Sequence, residues 1–198
     1  MPLSIGTQWS YTVTHYDTLG RVVKSMNRYT KVVGDTMIDG TGYSILSEDT
    51  TERFIEYRYP AHVNDQGYFR RMRYRNGTSS AERDTTVLSF RFPAPLHSQF
   101  TTDPHYYVGM DRLIADTLTV TSLNTKAIVP AGEFQCYQYV MNDNSYSLDS
   151  LDSIVVHRNF VVVHYLASIG LVKTEVYWTH QGTLQLLGVT ALRQFEQP

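Results

Sequence analysis

Arginine and aromatic side chains crowd one short segment, Tyr68-Phe69-Arg70-Arg71-Met72-Arg73-Tyr74-Arg75. Guanidinium groups interleaved with rings are the ingredients of a single-stranded nucleic-acid platform, in which cations follow the phosphates and bases stack on the rings. The same residues also suit an antiparallel hairpin. If Glu52 to Tyr59 pairs with Tyr68 to Arg75 across Pro60 to Gly67, Glu56 falls opposite Arg71 and Glu52 opposite Arg75, while Ile55 meets Met72 and Tyr59 meets Tyr68 on the reverse face. Cross-strand ion pairs of about 0.2–1 kcal/mol each would then share one solvated face with Arg58 and Arg73. The hairpin is the preferred account. The functional alternative is a surface for anions or glycans built on Arg58, Arg71, Arg73 and Arg75.

Seven histidines raise the question of a metal. His157 and His164 fall in one predicted strand, but their separation is odd, and a regular strand turns alternate side chains to opposite faces. The two rings diverge unless a bulge intervenes. His62, His97, His105 and His180 fall at or near predicted turns, where a solvated imidazole needs no further role. Asn142, Asp143, Asn144, Asp149 and Asp152 could offer oxygens to calcium, yet their spacing fits no EF-hand, and turn-forming side chains on a solvated loop explain the same letters. No metal site and no cofactor is expected.

Nucleophilic chemistry finds no better footing. There is no G-x-S-x-G elbow, and Cys136 lies in Phe134-Gln135-Cys136-Tyr137, a strand interior without an adjacent base, so a buried inert thiol is expected. His15 and Asp17 share a strand face by parity, but Asp17 is placed to open the turn Asp17-Thr18-Leu19-Gly20, and no third partner is visible. Glu133 and Glu175 form a carboxylate pair only if the fold brings them together. No catalytic residue is assigned, and a non-catalytic role is expected.

The elements that must position these groups read as β-strands throughout. Apolar and polar residues alternate along most of the 198-residue chain, and no window of helical length keeps a 3.6-residue period between believable caps. Trp9, Tyr11, Val13 and His15 define one face of a first strand, and Asn76-Gly77 closes the hairpin after Arg75. The stretch from Phe92 to Arg112, marked by Pro93, Pro95 and Pro104, is the least regular and is the candidate lid, with Phe92, Phe100, Tyr106 and Tyr107 as candidate ligand contacts. Asn142 to Asp152 is expected to be a surface loop. About eleven strands result. They form a single all-β domain over residues 1–198, a large antiparallel sheet curled into a half-barrel, a barrel or a two-sheet sandwich, with little helix.

Composition narrows the setting. The chain has 17 basic and 19 acidic residues and is 42% hydrophobic, so it is neither disordered nor built to coat nucleic acid through net charge. Its longest apolar runs, Ile154 to Val156 and Phe160 to Val163, are far shorter than the roughly 20 residues of a membrane helix. The opening Met1-Pro2-Leu3-Ser4-Ile5-Gly6 lacks the charged and apolar regions of a signal peptide, and the preferred reading is the mature region of an exported protein. Membrane anchoring is expected only through a removed N-terminal region.

Three stretches carry a resemblance. Pro2-Leu3-Ser4-Ile5-Gly6-Thr7-Gln8-Trp9-Ser10-Tyr11, Val129-Pro130-Ala131-Gly132-Glu133-Phe134-Gln135-Cys136-Tyr137 and Tyr165-Leu166-Ala167-Ser168-Ile169-Gly170-Leu171-Val172-Lys173 are similar, in this order, to segments of secreted proteins and lipoproteins of Bacteroidetes-like bacteria. The resemblance implies export to the periplasm, cell surface or medium and an all-β fold of extended curved sheet. A looser likeness is to the periplasmic lipoprotein carriers, whose half-barrel holds acyl chains under a lid; their covering helices have no clear counterpart here. The expected role is a binding or structural module of the cell envelope. The alternative is a carrier of a lipid or other hydrophobic ligand in an apolar cavity. Expected partners are an envelope protein, a glycan or a hydrophobic ligand, with no nucleic acid, and uncapped strand edges would favour self-association.

Overall fold

Period-two alternation produces twelve strands. They are β1 (Gln8–Tyr16), β2 (Val22–Ile38), β3 (Thr41–Thr50), β4 (Arg53–Asn64), β5 (Gly67–Arg75), β6 (Glu82–Arg91), β7 (Gln99–Tyr106), β8 (Leu113–Val129), β9 (Gly132–Leu148), β10 (Ile154–Ala167), β11 (Gly170–His180) and β12 (Thr183–Glu196). The computed structural model describes residues 1–50, 53–75, 82–106, 113–148, 154–180 and 182–198. Among them no helix is long and apolar enough to cross a membrane.

All twelve strands form one antiparallel sheet in the order β6-β5-β4-β3-β2-β1-β12-β11-β10-β9-β8-β7. Every neighbour is a chain neighbour except β1 and β12, which pair in the middle and tie the two termini together. The sheet edges, β6 and β7, are consecutive in the chain and lie side by side, so the sheet is a nearly closed barrel with one seam. The segment 92–98 laces that seam. Phe92 N–H donates to Gln66 O (3.3 Å), His97 N–H to Val120 O (2.8 Å), and Val120 N–H back to Ser98 O (3.0 Å). Tyr139 Oη on β9 donates to Arg91 O on β6 across the same gap, at 2.7 Å.

Side chains on the concave face fill three clusters. Trp9, Val32, Val172 and Leu192 centre the first, Leu118, Val120, Phe100 and Tyr139 the second, and Leu46, Tyr59, Ala61 and Tyr68 the third. Phe90 packs against both the second and third, joining the two sides of the seam. The three stretches that carry the sequence resemblance converge on the first cluster. Trp9 Nε1 donates to Ile169 O (2.7 Å), Tyr11 Oη donates to Leu171 O (3.0 Å), and Ala131 N–H donates to Leu192 O (3.1 Å). Cys136 is buried there, and burial pushes its thiol up to about 11, so it is an inert small hydrophobe at neutral pH.

Several local expectations change. The β4–β5 hairpin turns at Asn64 to Gly67, with Asn64 Oδ1 accepting from Gln66 N–H (2.8 Å) and Gly67 N–H (3.2 Å), and its register sets Ala61 opposite Arg70 and Val63 opposite Tyr68. The expected register, with Tyr59 opposite Tyr68, was therefore displaced. The Asx turn captured the chain four residues later than Pro60, because Pro60 sits within β4 opposite Ile45. Arg71 pairs with Asp39, at 3.1 Å, and the side chain of Glu56 lies outside the described residues, while β6 sets Asp84 opposite Arg73 and Glu82 opposite Arg75. The proline-marked stretch contains β7, paired with β8, and residues 107–112 lie outside those described. Residues 142–148, expected in a loop, continue β9 and pair with β10, as Ser147 with Val155 and Leu148 with Ile154. Main-chain pairing there needs no apolar periodicity in β9.

Gly67 is the tightest backbone position of the seam region. Its φ is +146°, and a Cβ there would collide with the carbonyl oxygen of Phe90. Gly67→Ala is expected to lower stability by about 3 kcal/mol through strain and loss of β5–β6 pairing. Urea unfolding followed by circular dichroism checks this, and a loss below about 1 kcal/mol would contradict it.

Candidate functional site

Inward-facing residues that do not meet across the barrel leave a cavity of about 330 Å³. Ten of the twelve strands line it, from Trp9 and Tyr11 on β1 to Leu171 on β11, which places it inside the sheet. Its lining includes the aliphatic and aromatic side chains of Leu46, Phe90, Leu118, Met141, Leu166 and Leu171. It also includes the polar side chains of Arg28, Glu48, Tyr59, Tyr68, Arg70 and His164.

Register explains the polar side. Arg28 on β2 stands opposite Tyr11 on β1, and its guanidinium lies over the Tyr11 ring, 4.8 Å from the centroid. Arg28 Nε is buried with no hydrogen-bond partner. Arg70 on β5 is held by Ser89 Oγ, 3.0 Å from its Nε, and sits over the Tyr59 ring at 5.6 Å. Tyr59 Oη donates to Glu48 Oε1 at 2.9 Å. Two guanidinium groups thus share the wall with one carboxylate.

Burial keeps the phenols protonated. Desolvation raises Tyr11 and Tyr59 far above the ordinary phenol range, and Tyr68, where the charge of Arg70 works the other way, is pushed up to about 12. His164 is driven the opposite way, down to about 4, because burial disfavours the imidazolium. Its Nδ1 lies 3.0 Å from Thr174 Oγ1 and its ring meets Phe90 edge-on at 5.4 Å. A hydroxyl partner cannot hold the ring charged as a carboxylate would. The wall therefore offers two cations, one carboxylate, neutral hydroxyls and a neutral imidazole at pH 7, a set suited to binding polar groups by hydrogen bonds and charge.

Four of the residues singled out from sequence, Arg58, Arg71, Phe92 and Phe100, are not among those lining this cavity. Arg58 is exposed on β4, opposite Ser47, and Arg71 is on the outer face with Asp39. Arg73, Arg75 and Tyr106 are placed by backbone register alone, and Tyr107 lies outside the described residues. Phe92 is half-buried against Tyr137 at 4.8 Å, and Phe100 is core, 5.9 Å from Tyr139. Asp17 opens the first turn as expected, its Oδ1 accepting from Leu19 and Arg21 N–H at 2.9 Å each. Glu133 pairs with Lys126 (2.7 Å) and Glu175 with Lys173 (2.6 Å), so the two carboxylates do not meet. Hydrogen bonds from Lys173, Tyr165 and Tyr177 outweigh the desolvation of Glu175 and hold its carboxyl below the usual value. No cluster of three metal-ligating side chains occurs among the described residues; the side chain of His157 lies outside them.

Sequence reasoning missed Arg28 and Arg70, although a signal existed for the second. In the doublet Arg70-Arg71 adjacent side chains must point to opposite faces, so a strand with one solvated face turns one arginine inward. Arg28 shares parity with Thr30 and the fully buried Val32, which marks the same inward face.

Fold and cavity together define an up-and-down antiparallel β-barrel, open along one seam, with a partly apolar and partly cationic interior. In overall structure the chain is similar to a candidate lipoprotein from Parabacteroides distasonis, with a TM-score of 0.59 and 14% identity over 99% of this chain and 97% of that one. It is also similar to a candidate exported protein with a YmcC-like fold from Bacteroides fragilis, with a TM-score of 0.58 and 11% identity over 100% of this chain and 98% of that one. At these identities the likeness is one of fold. The resemblance read from the three sequence stretches, to exported proteins and lipoproteins of Bacteroidetes, is matched by both structures. No family model matches the chain, and no curated protein does.

Proposed function

We propose that this protein is an extracytoplasmic binding module that holds a small, largely apolar molecule inside its barrel. The observation that carries the reading is the interior cavity of about 330 Å³, which lies within the usual size of small-molecule sites and combines an aliphatic wall with a few polar groups. Similarity of fold to a candidate lipoprotein and a candidate exported protein supports the compartment. Of the two ideas drawn from the sequence, a binding or structural module of the envelope and a carrier of a lipid or other hydrophobic ligand, the cavity supports a binding role and favours the second. Edge-to-edge association fits less readily, since β6 and β7 face one another and the segment 92–98 laces them.

Native mass spectrometry of the protein purified from its own host tests the reading. The expected result is a mass excess that disappears on denaturation. Equal native and denatured masses, at protein concentrations where the cavity would retain its occupant, would overturn it.

A further inference from the structure

We infer that the cavity selects an anionic amphiphile, a free alkyl carboxylate, whose head group is taken by Arg28 and whose chain lies against the aliphatic wall. The inference rests on the ligand-binding reading above and adds the chemical class of the ligand.

Arg28 differs from the other charged groups of the wall. Arg70 is engaged by Ser89 and the Tyr59 ring, and Glu48 by the Tyr59 hydroxyl. Arg28 has the Tyr11 ring beneath it, while its Nε is buried and has no acceptor from the protein. A buried cationic donor without an acceptor is costly, and native structures rarely tolerate one without a reason. The ring supplies attraction but no lone pair directed at the N–H. A carboxylate supplies both the opposite charge and acceptor oxygens, in a geometry that a guanidinium matches with paired hydrogen bonds.

The rest of the cavity sets the remainder of the ligand. Arg28 and Arg70 outnumber Glu48, so the formal charge of the wall favours a single negative group. Leu46, Leu118, Leu166 and Leu171 offer no hydrogen bonds and suit an alkyl chain. A volume of about 330 Å³ holds roughly ten water-sized or methylene-sized groups at about 30 Å³ each, which corresponds to a medium-length chain.

Isothermal titration of the intact protein with decanoate and with decanol is the test, because the two differ only at the head group. Decanoate is expected to bind at least about tenfold more tightly than decanol. In Arg28→Met the two affinities should converge, with decanol binding retained, whereas Glu48→Gln should leave the preference for decanoate intact or increase it. Equal affinities in the unaltered protein would overturn the inference, as would a preference that survives Arg28→Met. Should Arg28→Met fail to fold, the ratio in the unaltered protein decides alone. Binding of neither probe by a protein that carries a native ligand would overturn the alkyl-carboxylate inference and leave the binding reading standing. Binding of neither by a protein that carries none would overturn both.

Discussion

Trp9→Ala is expected to lower the stability of the protein by about 4 kcal/mol, in the range found when a buried large aromatic is truncated. The indole is 2% exposed, the largest of the fully buried side chains, and it belongs to the cluster where Val32, Cys136, Val172 and Leu192 meet. Its Nε1–H also satisfies the carbonyl of Ile169 at the β10–β11 turn, at 2.7 Å. That turn comes close because Gly170 adopts φ +113° beside the indole, where a Cβ would lie 3.5 Å from Nε1. Truncation therefore removes packing from several strands and leaves the part-buried Ile169 carbonyl without this donor. Trp9→Phe keeps most of the packing and loses the hydrogen bond, so a smaller loss of about 1–2 kcal/mol is expected. Urea unfolding of both variants at neutral pH checks the pair; a Trp9→Ala loss below about 1 kcal/mol would show that the first cluster does not hold the barrel together.

The second large effect is a dependence of stability on pH that belongs to His164. Burial lowers its folded value to about 4 from an ordinary 6.5. Above pH 6.5 the ring is neutral in both states and has no effect on the balance. As pH falls below 6.5 the unfolded chain binds a proton that the folded chain refuses, so stability falls with pH and the loss is complete near pH 4. With 1.36 kcal/mol per unit, the loss is about 3 kcal/mol. The Thr174 hydroxyl and the Phe90 ring contact the imidazole and do not stabilise its cation, and on the wall of the same cavity Arg28 and Arg70 outnumber the carboxylate of Glu48, which the Tyr59 hydroxyl already engages. Asp17 and Glu175 have lowered values and add acid sensitivity only below the ordinary carboxylate range. The comparison of wild type with His164→Gln separates them: urea midpoints measured between pH 7 and pH 4 should fall steeply for wild type and much less for the variant. Parallel curves would exclude His164 as the source.

How far each feature could be read from the letters depended on the range of the forces involved. Alternation at Trp9, Tyr11 and Val13 is local, and it pointed correctly to strands and to a curved antiparallel sheet. The turn at Asp17 was legible for the same reason, because the carboxylate bonds to main-chain groups two and four residues away. Register was not legible where two turns competed. Both Pro60 and Asn64 can reverse a chain, and the choice between them depended on β3, which pairs Ile45 with Pro60 and keeps β4 extended. Residues 142–148 looked like a loop because their side chains carry no apolar pattern, yet pairing to β10 is made by main-chain groups that every residue possesses.

The sequence by itself determined that the chain would bury alternating faces in an all-β antiparallel sheet, since that periodicity suits strands and not helices. It also contained the three stretches that converge on Trp9, although not the fact that they meet. Only the tertiary structure decided which arginines face inward together. Arg28 and Arg70 stand on strands separated in the sheet by β3 and β4, and closure of the sheet brings both onto one cavity wall. The physical reason is that parity assigns a side chain to a face of its own strand, whereas curvature, bulges and the laced seam between β6 and β7 decide which faces share an interior. The candidate site is a product of that closure.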